Sequence, residues 1–253
     1  MNYNREQILR LQGSKGQLVA SLLQPSDART IVIMMHGLLS NRQFHLFKRL
    51  TSMLAEQGIA SLRFDFNGHG DSEGQLHEMT VENELLDAKA VLKEVKHWQW
   101  VEHIVLLGHS LGGVVAGMLA ASNEKDVDTL VQIAAAAVMH DDALAGKLMN
   151  ARYDPAHIPE YVRILFVKKI GRAYLEAARD IDIFARSCSF SGKVCLVHGT
   201  KDAIVPSFYS ELYHNQYAHS ELHLIDGENH LLLRHPSLIA QKILHFITEH
   251  NTK

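Results

Sequence analysis

Residues Gly108-His109-Ser110-Leu111-Gly112 restrict what this chain can fold into more than any other stretch. Ahead of them runs His103-Ile104-Val105-Leu106-Leu107, short, apolar and β-branched, the pattern of a buried strand. Behind them runs Gly113–Ala121, small and apolar throughout, which reads as a buried helix. A strand, a Gly-x-Ser-x-Gly turn and a helix in succession describe a sharp elbow. Such a turn strains the serine backbone, and side chains at the flanking positions would strike the adjoining strand and helix, so glycines stand there. The serine Oγ is then lifted clear of the sheet, beside the positive end of a helix. That makes Ser110 a candidate nucleophile. The plainer reading is a glycine-rich turn whose serine caps a helix, and the pentapeptide alone leaves both open.

The flanking chain supplies a sheet for that elbow. Thr30–Met35, Ile59–Phe64, Thr129–Ala134, Gly192–His198 and Glu221–Ile225 are further apolar runs of strand length. Helical spacing marks Phe44–Gln57, closed by Gly58, then Thr80 to about Trp98 with Glu82 and Glu84 in its first turn, then Pro206–Asn215 and Ser237–His250. Ile8–Gln12 and Gln17–Gln24, joined through Gly13-Ser14-Lys15-Gly16, read as a hairpin. Strands alternating with helices after an antiparallel opening pair predict an α/β fold, a mostly parallel sheet covered by helices on both faces. From Ala135 to about Ala185 the alternation stops: no clear strand shows, only mixed short helices such as Tyr161–Ile170. About fifty residues is too long for an ordinary connection. The expected organisation is therefore a core over 1–134, an inserted cap subdomain over 135–185 and the rest of the core over 186–253.

Charge and composition exclude several classes of function. A net charge of −3 leaves no basic footprint for nucleic acid. No run of about 18 apolar residues is present, so no membrane span is expected. Met1–Gln7 carries charge and no apolar signal core, and the only cysteines, Cys188 and Cys195, are too sparse for a disulfide framework. Both features predict a cytoplasmic protein. The 17 histidines are scattered without metal-ligand spacing, so no metal site is expected.

A serine hydroxyl needs a base to take its proton, and the base needs a carboxylate to orient it. Both partners belong on loops at the carboxyl ends of strands, the edge of an open α/β sheet where sites form. Val194–His198 leads into Gly199-Thr200-Lys201-Asp202, and Leu222–Ile225 into Asp226-Gly227-Glu228-Asn229-His230. Ser110, Asp202 and His230 thus appear in the order nucleophile, acid, base. Asp226 is the rival acid, disfavoured because it shares a strand end with His230. For the oxyanion, donors are expected from the backbone N–H of Leu111 and of Leu38 in the turn His36-Gly37-Leu38-Leu39, with His36 bracing that loop. The glycine-rich stretch Asp65–Gly74 lacks the lysine of a phosphate-binding loop and reads as a structural loop near the site.

These residues, with Leu62–Gly74, Met79–Glu84 and Asp142 through Pro159, resemble the α/β-hydrolases and among them the bacterial cinnamoyl (feruloyl) esterases of lactobacilli and of gut and rumen bacteria. The resemblance runs over nearly the whole chain. It implies hydrolysis of a small-molecule ester, of ferulic, caffeic or p-coumaric acid, with no cofactor. It also implies that the inserted segment roofs the pocket, with Asp142 and Tyr174 binding the phenolic hydroxyl. By sequence alone Asp142 equally suits a helix cap, and Tyr174 a core position. Met149 and Leu111 stand where relatives carry glutamine, which makes the pocket more apolar and leaves a broad short-chain carboxylesterase or thioesterase as runner-up. An esterase-shaped binding protein without catalysis is the rival from another class. An apolar roof would also suit a homodimer face.

Overall fold

The computed structural model describes residues 6–165 and 167–251. The chain opens with β1 (Gln7–Gly13) and β2 (Gly16–Leu23), then β3 (Thr30–Met35), α1 (His45–Glu56), β4 (Ala60–Phe64), α2 (Val81–Val95), β5 (His103–His109), α3 (Leu111–Ser122) and β6 (Thr129–Ile133). Next come α4 (Val138–Leu144), the short strands β7 (Lys147–Leu148), β8 (Ala151–Arg152), β9 (Tyr161–Ile164) and β10 (Lys168–Gly171), and helices α5 (Arg172–Asp180) and α6 (Ile183–Ser187). It closes with β11 (Lys193–Gly199), α7 (Phe208–Gln216), β12 (Ser220–Ile225) and α8 (Pro236–Asn251).

Eight strands form one sheet in the order β1-β2-β4-β3-β5-β6-β11-β12. β1 and β2 pair antiparallel, with Gly13 opposite Gly16, and β2 joins β4 antiparallel. From β4 through β12 every pairing is parallel. The apolar strands explain the layering. Side chains alternate across a strand, so Ile31, Ile33 and Met35 enter the core that α2 and α3 cover, while Val32 and Met34 enter the core that α1 and α8 cover. Both faces are buried, as the alternating sequence predicted. Thr80 caps α2, its hydroxyl accepting from Asn83 N at 3.1 Å. Glu84 stands in the first turn as expected but is buried there, with one carboxylate oxygen unpartnered, and burial beside Asp87 pushes its carboxyl well above the usual range.

Between β6 and β11 the chain leaves the sheet. Within Tyr161–Ile170, expected as a helix, Tyr161–Ile164 instead pairs with Lys168–Gly171 as the β9–β10 hairpin, Ile170 opposite Val162. Its residues alternate exposed and buried from Tyr161 to Ile164, a strand period hidden by charged residues on the outward face. A second hairpin, β7–β8, turns through Met149 at φ 51°. The segment is thus part strand, and its two hairpins pair internally and stay outside the eight-stranded sheet.

Candidate active site

Ser110 sits between the end of β5 and the first residue of α3 at φ 56°, ψ −121°. The close approach around it accounts for its glycines. A Cβ on Gly108 would lie 2.1 Å from Gly112 O, and one on Gly112 would lie 2.2 Å from Met35 O. Four backbone bonds hold the strained residue: its N–H donates to Ile133 O at 2.9 Å, and its carbonyl accepts from Gly113 N at 2.9 Å, Ala136 N at 3.1 Å and Val114 N at 3.3 Å. Its side chain makes no helix-capping bond. Instead Ser110 Oγ lies 3.0 Å from His230 Nε2.

His230 Nδ1 lies 2.7 Å from Asp202 Oδ2. A carboxylate only accepts, so Nδ1 carries the proton and Nε2 is left to accept from the serine hydroxyl. Ser110, His230 and Asp202 therefore form one hydrogen-bonded chain although they lie on three separate loops. β11 and β12 end side by side, Gly199 opposite Ile225. Lys201 N then donates to Glu228 O at 2.8 Å, which ties the Asp202 loop to the His230 loop. The Glu228 carboxylate, buried, accepts from Asn229 N at 2.8 Å, Arg234 N at 3.0 Å and His235 N at 2.5 Å, folding its loop into an arch with His230 inside it. Asp226 takes no part in this chain: its carboxylate accepts from Thr200 Oγ1 at 3.1 Å.

The Asp202 carboxylate has donors on both oxygens. Oδ1 accepts from Ile204 N at 2.9 Å and Val205 N at 2.8 Å, and Oδ2 faces His230 and His198. Burial alone would favour the neutral acid, yet the bonds from His198, His230 and Val205 outweigh it and hold Asp202 well below the usual carboxylate range. His109, the second residue of the elbow, is buried. It stacks on Phe44 with ring centroids 4.7 Å apart and its Nε2 lies 2.9 Å from His230 O. That nitrogen meets an acceptor, so it donates and steadies the backbone of the His230 loop. Burial, helped by repulsion from His230, pushes the His109 imidazole down to about 3, so the ring is a neutral brace.

Leu38 and Leu111 come to the same corner. A Cβ on Gly37 would lie 2.8 Å from Ser110 Cβ, so the loop after β3 runs against Ser110. Among the described residues neither the Leu38 nor the Leu111 N–H has a hydrogen-bond acceptor. Leu111 opens α3, where an N–H has no intrahelical partner. His36 is turned away from the serine: its Nδ1 donates to Gly37 O at 2.9 Å and its Nε2 accepts from Phe66 N at 3.1 Å. Burial and the neighbouring His69 push it down to about 3. The Asp65–Gly74 stretch is a brace for this loop. Asp65 accepts from Arg42 N at 2.6 Å and Asp71 N at 2.9 Å and pairs with the Arg42 guanidinium.

The segment between β6 and β11 holds the remaining expected site residues. Asp142, in α4, is engaged by Lys147 Nζ at 3.0 Å. Tyr174, in α5, is buried among core residues, and its hydroxyl makes no hydrogen bond among the described residues. Burial and the nearby Glu84, Tyr153 and Asp142 push that phenol upward. Met149 packs at the edge of the same core. α4 is tied to the core by Tyr209, whose hydroxyl donates to Asp141 Oδ2 at 2.5 Å. The sequence reading missed His109, His198 and Glu228. All three are polar residues buried beside strand ends, and that placement is their one sequence-level signal.

The signature of the family described as "Serine aminopeptidase, S33" matches residues 26–158, just over half the chain. Among solved structures, Est1E from Butyrivibrio proteoclasticus with ferulic acid bound superposes with a TM-score of 0.90 at 28% identity, covering 94% of this chain and 96% of that one. Mouse alpha/beta hydrolase domain-containing protein 10 superposes with a TM-score of 0.79 at 21% identity, covering 97% of this chain and 99% of that one, a likeness of fold. The curated protein YfhR of Salmonella typhi is 38% identical over 92 residues, 36% of this chain, and the match spans only 30% of YfhR. Human serine hydrolase BPHL is 24% identical over 237 residues, 83% of this chain and 77% of that protein. By its signature and its architecture the chain belongs to the serine aminopeptidase S33 family of α/β hydrolases.

Proposed function

We propose that this protein is a serine esterase that hydrolyses small carboxylic esters, with hydroxycinnamate esters as its preferred class. The observation that carries the reading is the chain from Ser110 Oγ to His230 Nε2, 3.0 Å, and from His230 Nδ1 to Asp202 Oδ2, 2.7 Å. Ser110 Oγ attacks the ester carbonyl as its proton passes to His230 Nε2. The Leu38 and Leu111 N–H groups receive the oxyanion. His230 returns the proton to the departing alcohol. Water then gives a proton to His230 and attacks the acyl-serine; as the adduct collapses the acid leaves and His230 returns that proton to Ser110 Oγ, restoring both residues. Asp202 orients His230 and stabilises its cation.

The likeness to the ferulic-acid-bound Est1E over almost the whole chain supports the substrate class. In this reading Asp142 and Tyr174 are contacts for the phenolic ring and Met149 an apolar wall, as the resemblance of the sequence to the feruloyl esterases implies. The Lys147–Asp142 pair favours a second reading, a broad short-chain carboxylesterase, because that carboxylate already has a cationic partner. A fluorophosphonate probe is expected to label wild type and not Ser110→Ala. Next, kcat/KM is compared on methyl ferulate, an unsubstituted short-chain ester and an aminoacyl anilide. Ferulate preferred at least tenfold supports the first reading, and equal ester rates support the second. Cleavage of the anilide alone would make the protein a peptidase. Failure of both labelling and ester cleavage would overturn the esterase reading.

A further inference from the structure

We propose that His198, at the carboxyl end of β11, is a positioning residue for the acid of the triad, holding Asp202 with a second imidazole N–H while Ser210 fixes its tautomer. The proposal rests on the reading of Asp202 as the partner of His230. Fully buried, His198 is the last side chain before Gly199, where β11 gives way to the Asp202 loop. Its Nε2 lies 2.8 Å from Val205 O and 3.2 Å from Asp202 Oδ2. Both neighbours only accept, so Nε2 carries the proton and shares it between them. Its Nδ1 lies 2.7 Å from Ser210 Oγ in α7. Among the described residues Ser210 Oγ has no other partner, so the serine O–H donates into Nδ1. The pattern assigns the Nε2–H tautomer.

The consequence lies in how Oδ2 is shared. His230 approaches it at 2.7 Å and His198 at 3.2 Å, so the catalytic imidazole makes the shorter bond. The two backbone donors fix Oδ1, and His198 stops the carboxylate from rotating Oδ2 away from His230. An uncharged second donor does this without neutralising the carboxylate, which leaves its charge to stabilise the His230 cation that forms during attack. His198 also links Asp202 to Val205, closing the turn between them. The titratable groups facing this cluster are Asp202 from the loop after β11, His230 from the loop after β12 and His109 from the end of β5. α7 contributes the uncharged Ser210.

The test compares wild type with His198→Leu, His198→Gln and Ser210→Ala on a simple aryl ester. Three quantities are read: kcat and KM separately, the pH profile of kcat/KM, and the downfield proton resonance of the Asp202–His230 hydrogen bond. His198→Leu is expected to lower kcat by about tenfold or more with KM within roughly twofold. Its acid limb moves to higher pH, because an Oδ2 relieved of its second donor offers more of its charge to His230. His198→Gln, which returns an N–H near the same place, recovers most of kcat. Ser210→Ala, a smaller change, lowers kcat about twofold to fivefold. Melting curves accompany each variant, and Ser210→Ala keeps the test readable if His198→Leu does not fold. Variants that lose thermal stability but keep wild-type kcat, pH profile and proton resonance would overturn the proposal. An inactive, unlabelled wild type would instead sink the esterase reading itself.

Discussion

Ser110 and Asp142 are held in different ways. Around Ser110 the backbone does the positioning: four main-chain bonds, a left-handed φ of 56° and glycines with no room for a Cβ. Around Asp142 one lysine ammonium at 3.0 Å does it, in a segment of short helices and two-stranded hairpins. A backbone-built site tolerates almost no change and serves any substrate that reaches it. A site built from side chains on a cap can be altered one residue at a time, which is where substrate choice is cheaply adjusted. On the proposed esterase reading the elbow would carry the chemistry and the segment between β6 and β11 the preference.

That division is open to attack, and the sharpest test is at the elbow. Ser110→Ala is expected to lower kcat by about 10⁴-fold or more on every ester, measured as turnover of an aryl ester, with the fold intact by circular dichroism. Gly112→Ala tests the backbone instead. Its new Cβ meets two carbonyls of the β3 exit, Met35 O and His36 O, that cannot move independently of the sheet. A loss of roughly 3–5 kcal/mol in denaturant unfolding is expected. A mild effect there would show that the elbow is more pliant than its geometry implies.

Acid comes next. His36 and His109 are held down to about 3 by burial, whereas in the unfolded chain each titrates near its ordinary value. The unfolded state then binds more protons below about pH 6.5, and each ring removes up to about 1.4 kcal/mol of stability per pH unit as pH falls towards 3. Their contribution is fully present above pH 7 and is lost on acidification. Urea midpoints are expected to fall steeply from pH 7 to 5, and His109→Phe, which keeps a ring on Phe44, should shallow that slope by about one proton.

In the cap, Asp142→Ala is expected to change the ratio of kcat/KM between ferulate and a plain short-chain ester by about tenfold, leaving the rate of fluorophosphonate labelling near wild type. Equal losses on both substrates would move Asp142 out of the specificity role and blur the comparison. The smallest effect is at Glu84, under α5. Burying an ionised carboxyl, or protonating it at neutral pH, costs stability, and its raised folded-state value makes that cost grow as pH rises above the ordinary glutamate range. Glu84→Gln should raise the melting midpoint at pH 7 by a few degrees, the shift of about 1 kcal/mol in a domain of this size.

Most of the sheet was legible because buried parallel strands are short apolar runs, and the helices between them end at identifiable residues such as Gly58 and the Thr80 cap. The inserted segment was not. Its strands are two to four residues long, and Tyr161–Ile164 alternates over too short a span to separate a strand from a helical turn. Hairpins of that size are stabilised by what they pack against, and that information lies elsewhere in the chain.

The elbow was determined by sequence alone. Gly108, Ser110 and Gly112 make one local turn: the clash that keeps Gly108 a glycine is with Gly112 O four residues on, although the one at Gly112 is with Met35 O across the sheet. The partners of Ser110 were narrowed by sequence to loops at two strand ends, with Asp202 and Asp226 both in play. Sequence favoured Asp202 because Asp226 shares a strand end with His230, and the parallel register of β11 on β12 is what brings Asp202 Oδ2 to His230 and leaves Asp226 on Thr200. The same holds for His109 and His198, whose partners are set by strands that pair across the sheet. Local geometry is written in neighbouring residues, while a contact between loops 28 residues apart exists only once the sheet has chosen its strand order.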